Sequence, residues 1–188
     1  MSKTSSEQLA STLPTHIVLV GLMGTGKSSV GRQLASMLNR PFVDTDKKVE
    51  ARAGKTVREI FEADGEAAFR AVESQVVNEV LDTDVPSVIA AAGGVVTQEP
   101  NRNVLMRHRE NKQCVVVWLR ANTDELLTRV KKGVHRPLLD ADPSGTLTAM
   151  ARDRTPMYEQ VASIAVDTDG MSIVQVADAV LSQLRTAQ

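Results

Sequence analysis

Gly21-Leu22-Met23-Gly24-Thr25-Gly26-Lys27-Ser28 decides how this chain folds. The stretch fits G-x-x-x-x-G-K-[ST], the loop that wraps the phosphates of a nucleoside triphosphate. Its flanks match what that chemistry needs. Ile17-Val18-Leu19-Val20 is a short apolar run of strand type, and Ser29–Leu38 reads as a helix, with Val30, Leu34, Met37 and Leu38 at helical spacing. Glycines let the backbone come close to phosphate oxygens. The N–H groups that open the following helix then face the anion along the helix dipole. Gly24, Thr25, Gly26, Lys27, Ser28 and Ser29 are therefore the candidate ATP-binding residues. Lys27 reaches the β- and γ-phosphates, and the Ser28 hydroxyl is a candidate ligand of Mg²⁺. The competing explanation is a tight turn that enters a helix through Lys-Ser. The loop alone does not say what becomes of the γ-phosphate.

Working outward, 188 residues suffice for one domain with a sizeable core. The balance of 22 basic against 23 acidic residues and an aromatic content of 3% argue against general nucleic-acid binding, which calls for a basic surface and stacking rings. Cys114 is the only cysteine, so no internal disulfide forms. It opens the apolar run Cys114–Leu119 and reads as a buried strand thiol rather than a nucleophile. No stretch is long and apolar enough to span a membrane. Residues 1–15 are polar and rich in Ser and Thr, without a secretory apolar core, and read as a disordered tail. That leaves residues 16–188 as a single domain of a cytoplasmic protein, with a monomer suiting the composition.

Strand candidates at His16–Val20, Pro41–Asp44, Ser87–Ala91, Cys114–Leu119 and Ser163–Val166 alternate with helical patterns. Several are continuously apolar, as strands buried on both faces should be, so the expected fold is α/β, a parallel sheet flanked by helices. Two segments stand apart from this scaffold. Residues 46–81 are helix-like but broken at Gly54 and Gly65, and fit a substrate-binding subregion. Residues 131–145 carry Gly and Pro punctuation with Lys131, Lys132, His135 and Arg136 and no periodicity. They read as a lid that shuts water away from the γ-phosphate, against the plainer option of a solvated loop.

A phosphate-loop enzyme also needs a carboxylate near the metal, commonly at a strand end. Ser87–Ala91 and Cys114–Leu119 end without acids, whereas Phe42-Val43-Asp44-Thr45-Asp46 ends in two. On a strand edge, Asp at i and i+2 point the same way, so that one can sit by Mg²⁺ and the other can take a proton from an attacking hydroxyl. Either could instead cap the following helix. Asn111-Lys112-Gln113-Cys114 is an incomplete guanine reader and is taken as a turn. The three histidines show no metal-ligand spacing.

Taken together, these motifs resemble the shikimate kinase family over roughly residues 17–184. The shared pattern comprises the glycine loop, Asp44-Thr45-Asp46, Phe61-x-x-x-Gly65-Glu66-x-x-Phe69-Arg70-x-x-Glu73, Ala92-Gly93-Gly94, Arg136-Pro137-Leu138-Leu139 and Arg154-x-Pro156-x-Tyr158. The resemblance implies a five-stranded parallel sheet like that of the nucleoside monophosphate kinases. It implies ATP- and Mg²⁺-dependent phosphorylation of the 3-hydroxyl of shikimate, in aromatic amino acid biosynthesis. By resemblance, Arg70 and Arg154 grip the substrate carboxylate, and Asp46 binds ring hydroxyls and accepts the reacting proton. Asp44 sits near the metal, Gly93 and Gly94 offer backbone to the substrate, and Phe61 and Phe69 line its apolar side. Arg136 closes over the phosphates, and Arg129 stacks on adenine. Glu73 could hold the fork of Arg70.

Two departures stand out. Ala92 replaces the first of three family glycines, and Met171 falls where the family carries a further adenine-side Arg. The alternatives to a shikimate kinase are a kinase of another small polyol acid such as gluconate, and a nucleotide-binding protein without turnover.

Overall fold

The computed structural model describes residues 13–131 and 141–186. Five strands, β1 (His16–Val20), β2 (Phe42–Asp44), β3 (Ser87–Ala90), β4 (Cys114–Arg120) and β5 (Ile164–Asp167), form one sheet in the order β2-β3-β1-β4-β5. Every pairing is parallel. All five sit where the apolar runs put them. Pro41 stays just outside β2 because it has no N–H for the ladder, yet its carbonyl accepts from the Val88 N–H at 2.9 Å.

Continuous apolar runs are explained by two cores, one on each face of the sheet. Val18, Val20, Ile89, Val116 and Trp118 face one way, and Ile17, Leu19, Val88, Val117 and Leu119 the other, as the two-residue repeat of a strand requires. The second face is covered by α1 (Lys27–Leu38) and, at the chain's end, by the helix Ile173–Thr186. Leu13 is already buried in this cluster. The first face is covered by helices from residues 45–81, 99–110 and 143–161.

The region expected to be broken helix is α2 (Thr45–Ala53), α3 (Val57–Ala63) and α4 (Gly65–Leu81). Gly54 closes α2 in the left-handed region, and Thr56 with Glu59 forms a complete capping box that starts α3. Further along lie α5 (Glu99–Glu110), α6 (Thr123–Lys131), α7 (Pro143–Val161) and α8 (Ile173–Thr186). Helix α7 begins inside the segment read as a lid, because the Asp142 carboxylate caps the Gly145 N–H at 2.9 Å and Pro143 suits a first helical turn. The rest of that segment, with Arg136, lies outside the described residues. No helix among the described residues is long and apolar enough to cross a membrane.

Candidate active site

From β1 the chain goes to β2 on one side of the sheet, and after β3 it crosses to β4 on the other. The C-terminal end of β1 is thus a topological switch point, where open parallel sheets bind ligands. The glycine loop grows from that end. Gly26 caps α1 with φ 92°, a left-handed conformation that glycine adopts without penalty. Lys27 Nζ donates to the carbonyls of Gly21 and Leu22, at 2.8 and 2.9 Å, so the ammonium is held across the loop's mouth. Thr25 is buried, and its hydroxyl donates to the Leu22 carbonyl at 2.9 Å. Its side chain therefore shapes the loop from within.

Ser28 and Asp44 meet directly: the serine hydroxyl donates to Asp44 Oδ2 at 2.8 Å. The other carboxylate oxygen, Oδ1, accepts from the Asp46 N–H at 3.2 Å and caps α2. Asp44 thus fills the capping role, and its other oxygen stays beside the loop's Ser28. Because the cap turns the chain into a helix at Thr45, Asp46 sits in the first turn of α2 rather than on the strand, a correction to the expected i, i+2 strand geometry. Both acids still line one cleft of about 320 Å³, together with Gly24, Gly26, Lys27, Ser28, Ser29, Gly93 and Arg129. Burial, and then the charge of Asp44, push the Asp46 carboxyl above its ordinary pKa. Ser28 and Asp44 present hard oxygen donors beside the phosphate cradle, which fits Mg²⁺, an ion that keeps most of its shell for water and phosphate. Among the described residues no group of three or more His, Cys, Asp or Glu is arranged to hold a metal by itself.

Arg129 forms the border with a second cavity of about 240 Å³, lined by Thr25, Gly26, Ser29, Thr168, Gly170, Met171 and Ile173. Its guanidinium donates to Glu125 Oε1 at 3.0 Å and to the hydroxyl and carbonyl of Thr168 at 2.9 and 2.7 Å. Met171 lines this side.

The remaining predicted residues gather around the turn after β3. Arg70, on α4, lies against Gly94 and donates from Nη1 to both oxygens of the fully buried Glu73, at 3.1 and 2.9 Å. Its guanidinium carbon stands 5.2 Å from the centroid of the Phe69 ring, which in turn packs on Phe61 at 4.7 Å. Phe69 is buried in the core beneath Arg70, whereas Phe61 is partly exposed. Arg154, on α7, donates to the Gly93 carbonyl at 3.2 Å. Ala92 has no left-handed backbone, so its methyl brings no conformational strain to the turn. Its N–H donates to the hydroxyl of Thr45 at 2.9 Å. Thr45, between the two acids, thereby ties them to the glycine turn. Tyr158 donates to the Gly93 carbonyl at 2.6 Å. The sequence marked both positions as parts of motifs without giving either a task.

Comparison with known proteins points one way. The shikimate kinase family model matches residues 23–185. A shikimate kinase of Symbiobacterium thermophilum is 46% identical over 173 residues, covering 90% of this chain and 96% of that protein. The structure of a shikimate kinase from Acinetobacter baumannii in complex with shikimate superposes with a TM-score of 0.88 at 35% identity, covering 97% of this chain and 98% of the other. A gluconokinase from Sinorhizobium meliloti 1021 shares the fold at a TM-score of 0.58 and 20% identity, over 93% of each chain.

Proposed function

The chain belongs to the shikimate kinase family, and on that premise we propose that it transfers the γ-phosphoryl group of ATP to the 3-hydroxyl of shikimate. The observation that carries this reading is the single cleft shared by Lys27, Ser28, Asp44, Asp46 and Gly93. It joins a phosphate cradle to a carboxyl group of raised pKa and to the turn against which Arg70 and Arg154 lie.

In this reading the phosphates lie along the loop, with Lys27 compensating their charge. The acceptor hydroxyl forms a new bond to the γ-phosphorus as the bond to the bridging oxygen breaks, and ADP leaves. The hydroxyl proton passes to Asp46, whose raised pKa makes it a better acceptor than an ordinary Asp. Arg70 and Arg154 hold the substrate carboxylate, since a guanidinium fork matches its two oxygens. When bound, Mg²⁺ neutralises charge on the β- and γ-phosphates, and Ser28 and Asp44 are the residues that would hold it. Arg129 serves the nucleotide side, and Arg136 closes over the phosphates. The same reading keeps the enzyme a cytoplasmic monomer, and it has no nucleic-acid partner, in keeping with the near-equal 22 basic and 23 acidic residues.

A coupled assay for ADP release with ATP, Mg²⁺ and either shikimate, quinate or gluconate tests it. Steady turnover with shikimate is expected. Turnover with gluconate alone supports a kinase of a different polyol acid, and silence with all three supports a nucleotide-binding protein without turnover.

A further inference from the structure

From the bonding around the turn after β3 we infer that Tyr158 is a positioning residue of the acceptor site, fixing the Gly93–Gly94 peptide through its hydroxyl; this rests on the function proposed above. Every carbonyl from Gly93 to Thr97 is taken by a side-chain donor. Gly93 O accepts from Tyr158 at 2.6 Å and from Arg154 at 3.2 Å, and Gly94 O accepts from the Thr97 hydroxyl at 2.7 Å. Val95 O accepts from Asn101 at 3.2 Å, and Arg102 serves Val96 O and Thr97 O at 2.7 and 3.3 Å. From the preceding side, Thr45 holds the Ala92 N–H at 2.9 Å. The turn is therefore clamped along its carbonyl edge.

The N–H groups are disposed differently. The Gly93–Gly94 peptide is trans, so the Gly94 N–H points away from the carbonyl that Tyr158 holds. No group among the described residues accepts from the N–H of Gly93 or Gly94. These are the donors a polyhydroxylated acceptor can use, and Gly93 borders the cleft that contains Asp46. Rotation of this peptide would turn the Gly94 donor aside and at the same time remove the carbonyl on which Arg154 rests. One phenol hydroxyl thus governs a backbone donor and a guanidinium together.

Tyr158 is built for this task. It is 1% exposed and stacks on Trp118 with centroids 5.7 Å apart. Burial raises its pKa far beyond the working range, so the hydroxyl remains a donor. Arg154 lies one turn earlier on α7, on the same face.

Tyr158→Phe removes the hydroxyl and keeps the ring on Trp118. The expected result is a shikimate KM raised about five- to tenfold, the usual scale for one lost hydrogen bond. The ATP KM should stay within about twofold, and the amide resonance of Gly94 should move in the substrate-free protein. Trp118→Phe weakens the packing and spares the hydroxyl, so it should lower Tm and leave the shikimate KM within about twofold of wild type. The inference is overturned if Tyr158→Phe leaves the shikimate KM and the Gly94 resonance unchanged. It is equally overturned if both KM values rise together, or if Trp118→Phe raises the shikimate KM as much. Wild-type turnover of shikimate is measured alongside. Its absence would overturn the proposed function, while the Gly94 resonance would still decide whether Tyr158 fixes the peptide.

Discussion

The guanidinium of Arg70 occupies the space that a side chain on Gly94 would need. A Cβ on Gly94 would stand 2.5 Å from Nη1, 2.6 Å from Nη2 and 2.9 Å from the guanidinium carbon of Arg70. The backbone does not demand glycine here, because Gly94 has φ −96°. The demand comes from Arg70, which cannot simply swing aside while Glu73 and Glu66 hold it. Gly94→Ala should fold with a lowered Tm, because moving the fork also disturbs its pairing with the buried Glu73. It should raise the shikimate KM about tenfold or more by displacing the fork. Initial-rate kinetics with shikimate varied at saturating ATP would check this, and an unchanged KM would mean that Arg70 is not a carboxylate anchor.

Arg70→Lys keeps the charge beside Glu73 but loses the planar fork. Glu73 is fully buried, and burial pushes its carboxyl above the usual range while Arg70 pulls it back. A lysine ammonium can satisfy Glu73 or reach a substrate carboxylate, and cannot do both in one geometry. The shikimate KM should rise about tenfold or more, with a smaller change in kcat. Equal KM values for the two proteins would put the substrate carboxylate elsewhere.

Asp46 poses a trade between stability and chemistry. As an acid with a pKa raised in the folded state, mainly by burial, it binds its proton more tightly folded than unfolded. Stability then falls as pH rises from the ordinary value of 3.8 through the folded pKa, and the deficit persists at neutral pH. Asp46→Asn should consequently have a higher Tm than wild type at pH 7, an advantage that disappears in acid. Its kcat should be lower by about 10²–10⁴, the range for a positioned general base. The wild-type rate should in turn be lost on acidification at a pH above the ordinary Asp range. A kcat within twofold of wild type would remove Asp46 from the role of base.

Much of this fold was legible because the three central strands β1, β3 and β4 are buried on both faces, which leaves an unbroken apolar run such as Cys114–Leu119 to be read. The breaks at Gly54 and Gly65 were legible for a similar reason, since both adopt positive φ. The alternation of Asp44 and Asp46 points to a strand, whereas Asp46 lies in a helix because of one hydrogen bond, from its own N–H to Asp44. The signal was present in Asp44 as a potential cap, but two acids in alternation also suit a strand. Asp142-Pro143 likewise carried a helix-start signal that the surrounding Gly and Pro residues obscured. The tasks of Thr45 and Tyr158 were beyond reach. Their partners, Ala92 and Gly93, lie 47 and 65 residues away, and no local pattern encodes a bond of that span.

At the opposite end of β1 from the glycine loop, His16 gives the fold a pH dependence of its own. It is fully buried, with Nδ1 2.8 Å from the Ser87 hydroxyl and Nε2 2.9 Å from the Thr83 carbonyl. Burial lowers its pKa below the ordinary 6.5, and the neighbouring His108 and Arg40 add to this. The ring is therefore neutral in the folded protein at neutral pH, and on acidification the unfolded chain takes up a proton first, near the ordinary value. As pH falls below about 6.5 the unfolded state binds more protons, and stability declines until the folded pKa is reached. His16→Gln cannot charge and can still hydrogen-bond to Ser87. At pH 8 it should be less stable than wild type, because it loses the packing of the ring. Between pH 6.5 and 5 its Tm should fall less steeply, so the gap between the two proteins narrows. Thermal unfolding at half-unit pH steps would show it, and parallel curves would exclude His16 as the titrating group.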